Sequence, residues 1–177
     1  FDTPRVGHTG TLDPMATGVL PVLLGRAVKA SDYVMAQDKK YVAGLRLGIE
    51  TDTEDTSGTV LRECADVPSE EKVRETIASF IGEISQVPPM YSAIKIDGRK
   101  LVDIAREGGE VEREARLVRI DSIGVEKVSD VDYVLDVECS KGTYIRTLCA
   151  DIGKKLGCGG AMASLRRVRA GAFTVKD

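Results

Sequence analysis

From Val131 to Cys139 the chain alternates without interruption: Val131, Tyr133, Leu135, Val137 and Cys139 fall on one side, Asp132, Val134, Asp136 and Glu138 on the other. A period of two is incompatible with an amphipathic helix and requires an extended strand with one dry face and one largely wet face. Leu117 to Val128 is also β-rich and reads as the antiparallel partner of this strand. The pattern breaks at Ser140-Lys141-Gly142-Thr143. Beyond that break, Ile145, Leu148, Cys149, Ile152 and Leu156 recur at helical spacing, and Gly157 closes the stripe.

The remaining segments fit the same layered arrangement. Gly18 to Leu24 reads as a short buried strand and Arg26 to Met35 as a helix. Tyr41, Ala43, Leu45 and Leu47 share one face of a further strand, followed by a polar loop or hairpin from Gly48 to Val60. Pro68-Ser69 begins a helix with Val73, Ile77 and Ile81 on its apolar side and Phe80 and Ile84 alongside. After Pro88-Pro89 come a short strand around Ala93 to Ile96, a turn at Asp97-Gly98 and a helix from Lys100 to Arg106 ending at Gly108-Gly109. Strands and helices alternate irregularly, which predicts an α+β fold: a mixed, largely antiparallel sheet with helices packed around it, mainly on one side. At 177 residues, one domain with a real core is expected.

Cys64, Cys139, Cys149 and Cys158 form no C-x-x-C pair, and with one histidine there is no zinc set, so reduced, partly buried thiols are expected. No apolar run is long enough to cross a bilayer and the first residues lack signal-peptide form, so the cytoplasm is the default location. The net charge of −3 hides an asymmetry: Lys141 to Arg169 carries +6 and the rest −9. Such a basic third suits a phosphate-holding face, although a solvated charged surface has the same composition.

Gly7 to Leu20, G-H-T-G-T-L-D-P-M-A-T-G-V-L, holds one acid, Asp13, among three glycines, the single histidine and a proline. Pro14 restricts its own φ and pushes Asp13 towards extended geometry, so the carboxylate is presented rigidly. Local chemistry supports two readings, a turn residue capping a nearby N–H or a catalytic acid. His8 is likewise either structural or a general base.

The order of residues adds more. Gly10 to Leu20 resembles the catalytic loop of the tRNA pseudouridine synthase B family, with Asp13 at the essential aspartate. Lys40-Tyr41, Ser140 to Arg146 (S-K-G-T-Y-I-R) and Leu165-Arg166-Arg167 recur in the same order, so the resemblance covers nearly the whole chain. Pro88 to Lys95, P-P-M-Y-S-A-I-K, looks like the bacterial tRNA enzyme rather than its guide-RNA-dependent relative dyskerin. The resemblance implies the pseudouridine synthase fold and isomerisation of a uridine in RNA: the bond from C1′ to N1 breaks, the base turns, and C1′ joins C5. Nothing is oxidised or transferred, so no cofactor or metal is expected. The expected partner is the T stem-loop of tRNA, with no guide RNA and no membrane, and a monomer is the default.

The resemblance also assigns residues. Asp13 would be the reacting carboxylate, Arg146 the cation that holds it charged, and Tyr41 the aromatic surface for a base flipped from its stack. Leu165 would form an apolar wall and His8 would sit beside the flipped nucleotide. Lys141, Arg166, Arg167 and Arg169 are candidate phosphate contacts, and Asp55 and Thr143 further pocket candidates. The family's N-terminal strand with Lys-Pro-x-Gly and its C-terminal PUA domain have no counterpart here, so residues 1–177 are expected to be a catalytic-domain fragment. Two rivals are an RNA-binding module without chemistry, for which a carboxylate in the cleft has no use, and a glycoside hydrolase. The latter needs a second acid paired with Asp13, for which Glu50, Asp52 and Asp55 are the candidates.

Overall fold

The structure is a computed structural model, and it describes residues 2–96 and 98–175. Strands β1 (Val6–His8), β2 (Thr17–Gly18) and β3 (Val22–Leu24) frame the glycine-rich segment. The single buried strand expected over Gly18 to Leu24 is thus two, neither of them buried. Pro21 lacks an N–H for a continuous ladder, so β2 pairs with one sheet and β3 pairs antiparallel with β1. The helix expected from Arg26 to Met35 begins as a 3-10 segment, Gly25–Ala30, and continues as α1 (Ser31–Met35).

Next come β4 (Lys39–Leu47), the hairpin β5 (Ile49–Thr51) and β6 (Val60–Glu63), and α2 (Glu70–Ala78). Ser69 caps α2 as its position predicts, its side chain accepting from the N–H of Lys72. The helix ends before Ile81, which is 48% exposed, so the expected stripe is one turn shorter. Ile84 belongs to β7 (Gly82–Gln86), an edge strand the sequence reading did not separate from the helix.

Then follow β8 (Lys95–Ile96), β9 (Arg99–Lys100), α3 (Leu101–Arg106), β10 (Arg116–Lys127), β11 (Asp132–Cys139), α4 (Ile145–Leu156), β12 (Gly160–Ala170) and β13 (Phe173–Thr174). Of the turn expected at Asp97-Gly98, Asp97 lies outside the described residues and Gly98 has a φ of +82°.

The main sheet runs β13-β12-β4-β11-β10-β7, with β2 added in parallel to β12 and every other pairing antiparallel. It is therefore mixed and largely antiparallel, as expected. β4 buries Tyr41, Ala43, Leu45 and Leu47, and β11 buries Tyr133, Leu135, Val137 and Cys139. That face joins one core with Val73 and Ile77 of α2 and with Leu148, Cys149 and Ile152 of α4. Gly157 closes α4 at a left-handed φ of +81°.

Two glycines set how closely the pieces approach. A Cβ on Gly153 of α4 would lie 2.0 Å from the backbone nitrogen of Gly160, so only glycine lets the start of β12 pass there. Gly18 has a φ of +104°, and a Cβ on it would lie 2.1 Å from the carbonyl oxygen of Arg167. Gly18→Ala is therefore expected to combine backbone strain with a clash against a strand that cannot retreat, costing about 3 kcal/mol. In a thermal melt this corresponds to a midpoint roughly 6–12 °C lower; a shift under about 2 °C would contradict it.

The largest element missing from the sequence reading is β12, which lies in the sheet beside β4. Bulges between Met162 and Ser164 and between Arg167 and Arg169 shift its register twice, so its buried residues do not alternate. Arg167 also occupies a buried position where an apolar residue would have marked the strand.

Candidate active site

Asp13 projects from the connection between β1 and β2. The backbone turns there, with the N–H of Ala16 bonded to the carbonyl of Asp13 at 2.9 Å. Arg167 closes this loop at both ends. Its carbonyl accepts from the N–H of Val19 at 2.8 Å, its Nε donates to the carbonyl of Val19 at 2.7 Å, and its Nη2 donates to the carbonyl of Gly10 at 3.1 Å.

Arg146, in the first turn of α4, meets Asp13 as a fork. Nε lies 2.9 Å from Oδ2 and Nη2 3.0 Å from Oδ1. Two further N–H groups are also used, one of Nη1 by the carbonyl of Thr53 at 3.1 Å and one of Nη2 by the carbonyl of Tyr91 at 2.8 Å. The Arg146 side chain is 6% exposed and that of Asp13 28%, so a buried guanidinium aims a partly open carboxylate.

Three residues that the sequence reading did not assign to the site hold Arg146 in place. Gln86, 1% exposed, uses its amide like a piece of strand: Oε1 accepts from the N–H of Tyr144 at 3.0 Å and Nε2 donates to its carbonyl at 3.2 Å. Glu54, at a φ of +62°, accepts from the Thr147 hydroxyl at 2.7 Å, and burial pushes its carboxyl up from the ordinary range. Tyr91 contributes a backbone carbonyl, which no side-chain pattern can signal.

Tyr41 sits where the apolar stripe of β4 runs out from under the helices. It pairs with Arg167 on β12 and Val137 on β11. Burial raises its phenol above the ordinary value while the Arg167 guanidinium pulls the other way, so it is a neutral hydroxyl at pH 7. Leu165, opposite Ala43, completes the wall. Asp13, Tyr41, Arg146, Leu165 and Thr143 thus line one cavity of about 80 Å³. Asp13 is the only carboxylate among its described lining residues, and none of Glu50, Asp52 and Asp55, the acids weighed for glycoside hydrolysis, lines the cavity.

This cavity opens beside a cleft of about 520 Å³, with which it shares Thr11, Tyr41, Thr143 and Tyr144. The cleft is lined by Lys39, Arg116, Lys141 and Arg167, with no carboxylate among its described lining residues. Burial and the Arg167 charge lower the proton affinity of the Lys39 ammonium. The Cys139 and Cys149 thiols, pushed up to about 12 by burial, stay protonated and chemically quiet.

Other sequence-predicted residues fall elsewhere. Lys141 is exposed on the rim of the cleft. Arg166 is exposed and Arg169 pairs with Glu138, both beside a different groove on the sheet. Arg167 is not part of a solvated basic run: it is 2% exposed, because its side chain turns inward to the loop carbonyls. Asp55 lines neither cavity; its Oδ1 accepts from Thr53, from the Ser57 N–H and from the Ser57 hydroxyl, which shapes the turn whose Thr53 carbonyl holds Arg146. His8 is exposed on β1 and lines neither cavity.

A carboxylate fixed by a guanidinium, beside a phenol and an aliphatic wall, suits chemistry on a flat group delivered from the basic cleft. Residues 1–145 match the family model for the N-terminal domain of TruB family pseudouridylate synthases, and residues 146–177 the C-terminal domain of tRNA pseudouridylate synthase B. The junction of the two falls inside the continuous helix α4. The chain is 53% identical over 171 residues to tRNA pseudouridine synthase B of Alkaliphilus oremlandii, covering 97% of this chain and 57% of that protein. It is 50% identical over 177 residues to the protein of the same name from Aromatoleum aromaticum, covering 100% of this chain and 58% of the relative. It thus spans under two thirds of the length of these relatives.

Among solved structures, a chain in a Cbf5-Nop10-Gar1 complex superposes with a TM-score of 0.74 at 33% identity, covering 99% of this chain and 43% of that one. A chain of an H/ACA RNP bound to a substrate RNA containing 2′-deoxyuridine gives a TM-score of 0.70 at 28% identity, covering 99% and 41%. Sequence and fold agree, and the chain belongs to the TruB family of pseudouridylate synthases.

Proposed function

We propose that this chain is the catalytic domain of a tRNA pseudouridine synthase, which converts one uridine of the T-loop, U55, to pseudouridine in the cytoplasm. The observation that carries this reading is the forked Asp13–Arg146 pair in a small cavity that opens onto a basic cleft. The backbone of the stem-loop lies in the cleft and the flipped uridine enters the cavity, where Tyr41 stacks on the base and Leu165 limits its tilt. Asp13 acts on the nucleotide while its C1′–N1 bond breaks, the base turns, C5 joins C1′, and the C5 proton leaves to solvent. The phenol of Tyr41, neutral at pH 7, offers a path for that proton. The proton lost from C5 is balanced by one taken up from solvent at N1, which the broken C1′–N1 bond leaves free, so the product is an isomer and no cofactor enters the balance.

The regional assignment is tested by mapping pseudouridine along an unmodified tRNA transcript after reaction with the full-length protein. One modified uridine in the T-loop is expected. Modification confined to the anticodon or D arm would refute the T-loop assignment.

A further inference from the structure

The deepest cations of the large cleft have charges that the chemistry above does not use. Lys39 is 7% exposed and Arg167 2% exposed. The Lys39 ammonium donates to the carbonyls of Met35 at 2.6 Å and Gln37 at 2.5 Å, and Arg167 donates to the carbonyls of Val19 and Gly10. All four acceptors are neutral. Among the described residues, neither cation has a carboxylate within 4.0 Å. Asp38, adjacent in sequence, instead lies 3.3 Å from Arg119.

The two cations share one sheet face. Arg167 pairs with Tyr41, and Lys39 lies two residues before Tyr41 on the same side of β4. The chain has 28 acidic residues against 25 basic ones, and surface cations such as Arg46, Arg62 and Arg169 have acidic partners. Leaving two neighbouring buried cations without one is therefore not a shortage of acids. Buried charges are ordinarily paired, and an unneutralised like-charged pair disfavours the empty state. An ammonium has three donors, of which the Met35 and Gln37 carbonyls occupy two. Arg116 and Lys141 continue the same wall.

We propose that Lys39 and Arg167 form the floor of a phosphate subsite, in which one backbone phosphodiester of the bound RNA supplies the missing negative charge. Because the cleft shares Tyr41 and Thr143 with the Asp13 cavity, this phosphate is one flanking the nucleotide that enters the cavity. The assignment rests on the RNA-modifying reading above, and its test reads binding rather than isomerisation. Arg167 also closes the Asp13 loop, so Lys39 is the residue to change.

The experiment measures affinity of the full-length protein for an unmodified T stem-loop RNA across a salt series, for wild type, Lys39→Met and Lys39→Arg. Lys39→Met is expected to weaken binding about tenfold and to lower the slope of log affinity against log salt by about one. Lys39→Arg should restore the slope. Without RNA, Lys39→Met should melt close to wild type, the relief of a buried charge that has no counter-charge offsetting the loss of the donor to the Met35 and Gln37 carbonyls. An unchanged affinity and slope in Lys39→Met would overturn the proposal. So would a lowered melting midpoint with the slope intact, because Lys39 would then merely cap α1. If inorganic phosphate competed with the RNA far more strongly than chloride at matched ionic strength, the site would be one for free phosphate and the RNA assignment would fall. A wild-type protein that binds with this slope yet isomerises nothing would refute the proposed reaction while leaving the subsite standing.

Discussion

Asp13→Asn is expected to reduce pseudouridine formation by on the order of 10⁴-fold or more while changing RNA affinity less than about threefold. The substitution keeps the shape of the side chain and removes its charge. It also turns an NH₂ group towards Arg146, which presents only N–H donors to that position. The reacting oxygen is lost and the fork is broken at one tine. RNA affinity is expected to survive because the cleft that holds the backbone, with Lys39, Arg116 and Lys141, makes no use of Asp13. Single-turnover rates and equilibrium binding on one RNA separate the two effects. Turnover within tenfold of wild type would remove Asp13 from the chemistry and return it to the role of a loop residue.

Arg146→Lys is expected to be nearly as damaging, although it conserves charge. The guanidinium makes two bonds to Asp13 and one each to the carbonyls of Thr53 and Tyr91. An ammonium cannot reproduce the planar fork, and on a shorter reach it satisfies at most part of this set. Carboxylate orientation is lost first, and buried carbonyls are left without donors. The turnover constant is expected to fall roughly 10²- to 10³-fold with little change in KM, because the orientation matters for the reacting carboxylate rather than for RNA docking. Stability should fall by about 1–3 kcal/mol. A near-normal rate would make Arg146 part of the scaffold only.

The clearest parts of the fold in the sequence were those with uniform periodicity. The strict alternation of β11, the stripe of α4 with Gly157 behind it, and the serine cap of α2 all describe the structure closely, because each follows from local geometry and one buried face. β12 was opaque for the opposite reason. Its two bulges scramble the alternation, and its buried arginine looks like a surface charge until the Gly10 and Val19 carbonyls are seen beside it.

The site shows the same division. Asp13, Tyr41 and Arg146 were singled out through a family resemblance, since no local pattern brings residues 133 positions apart into a fork. Gln86, Glu54 and Lys39 carried no such signal. A buried glutamine bonded to a main chain 58 residues away is indistinguishable, in one dimension, from a glutamine on the edge of a strand. The basic C-terminal third was visible as charge, but its members part company in three dimensions. Lys141 borders the cleft, Arg167 lies beneath it, and Arg169 pairs with Glu138 beside a separate groove.

The central claim is that a carboxylate held by a guanidinium isomerises a uridine in RNA, and it is tested most directly by tritium release. The substrate is an unmodified tRNA transcript carrying tritium at C5 of its uridines, since the C5 proton must leave when C5 joins C1′. The full-length protein is expected to release one equivalent of tritium per tRNA, and its Asp13→Asn variant none on the same timescale. Stable binding of the transcript with no tritium released by the wild-type protein would contradict the account and leave an RNA-binding module of the same fold.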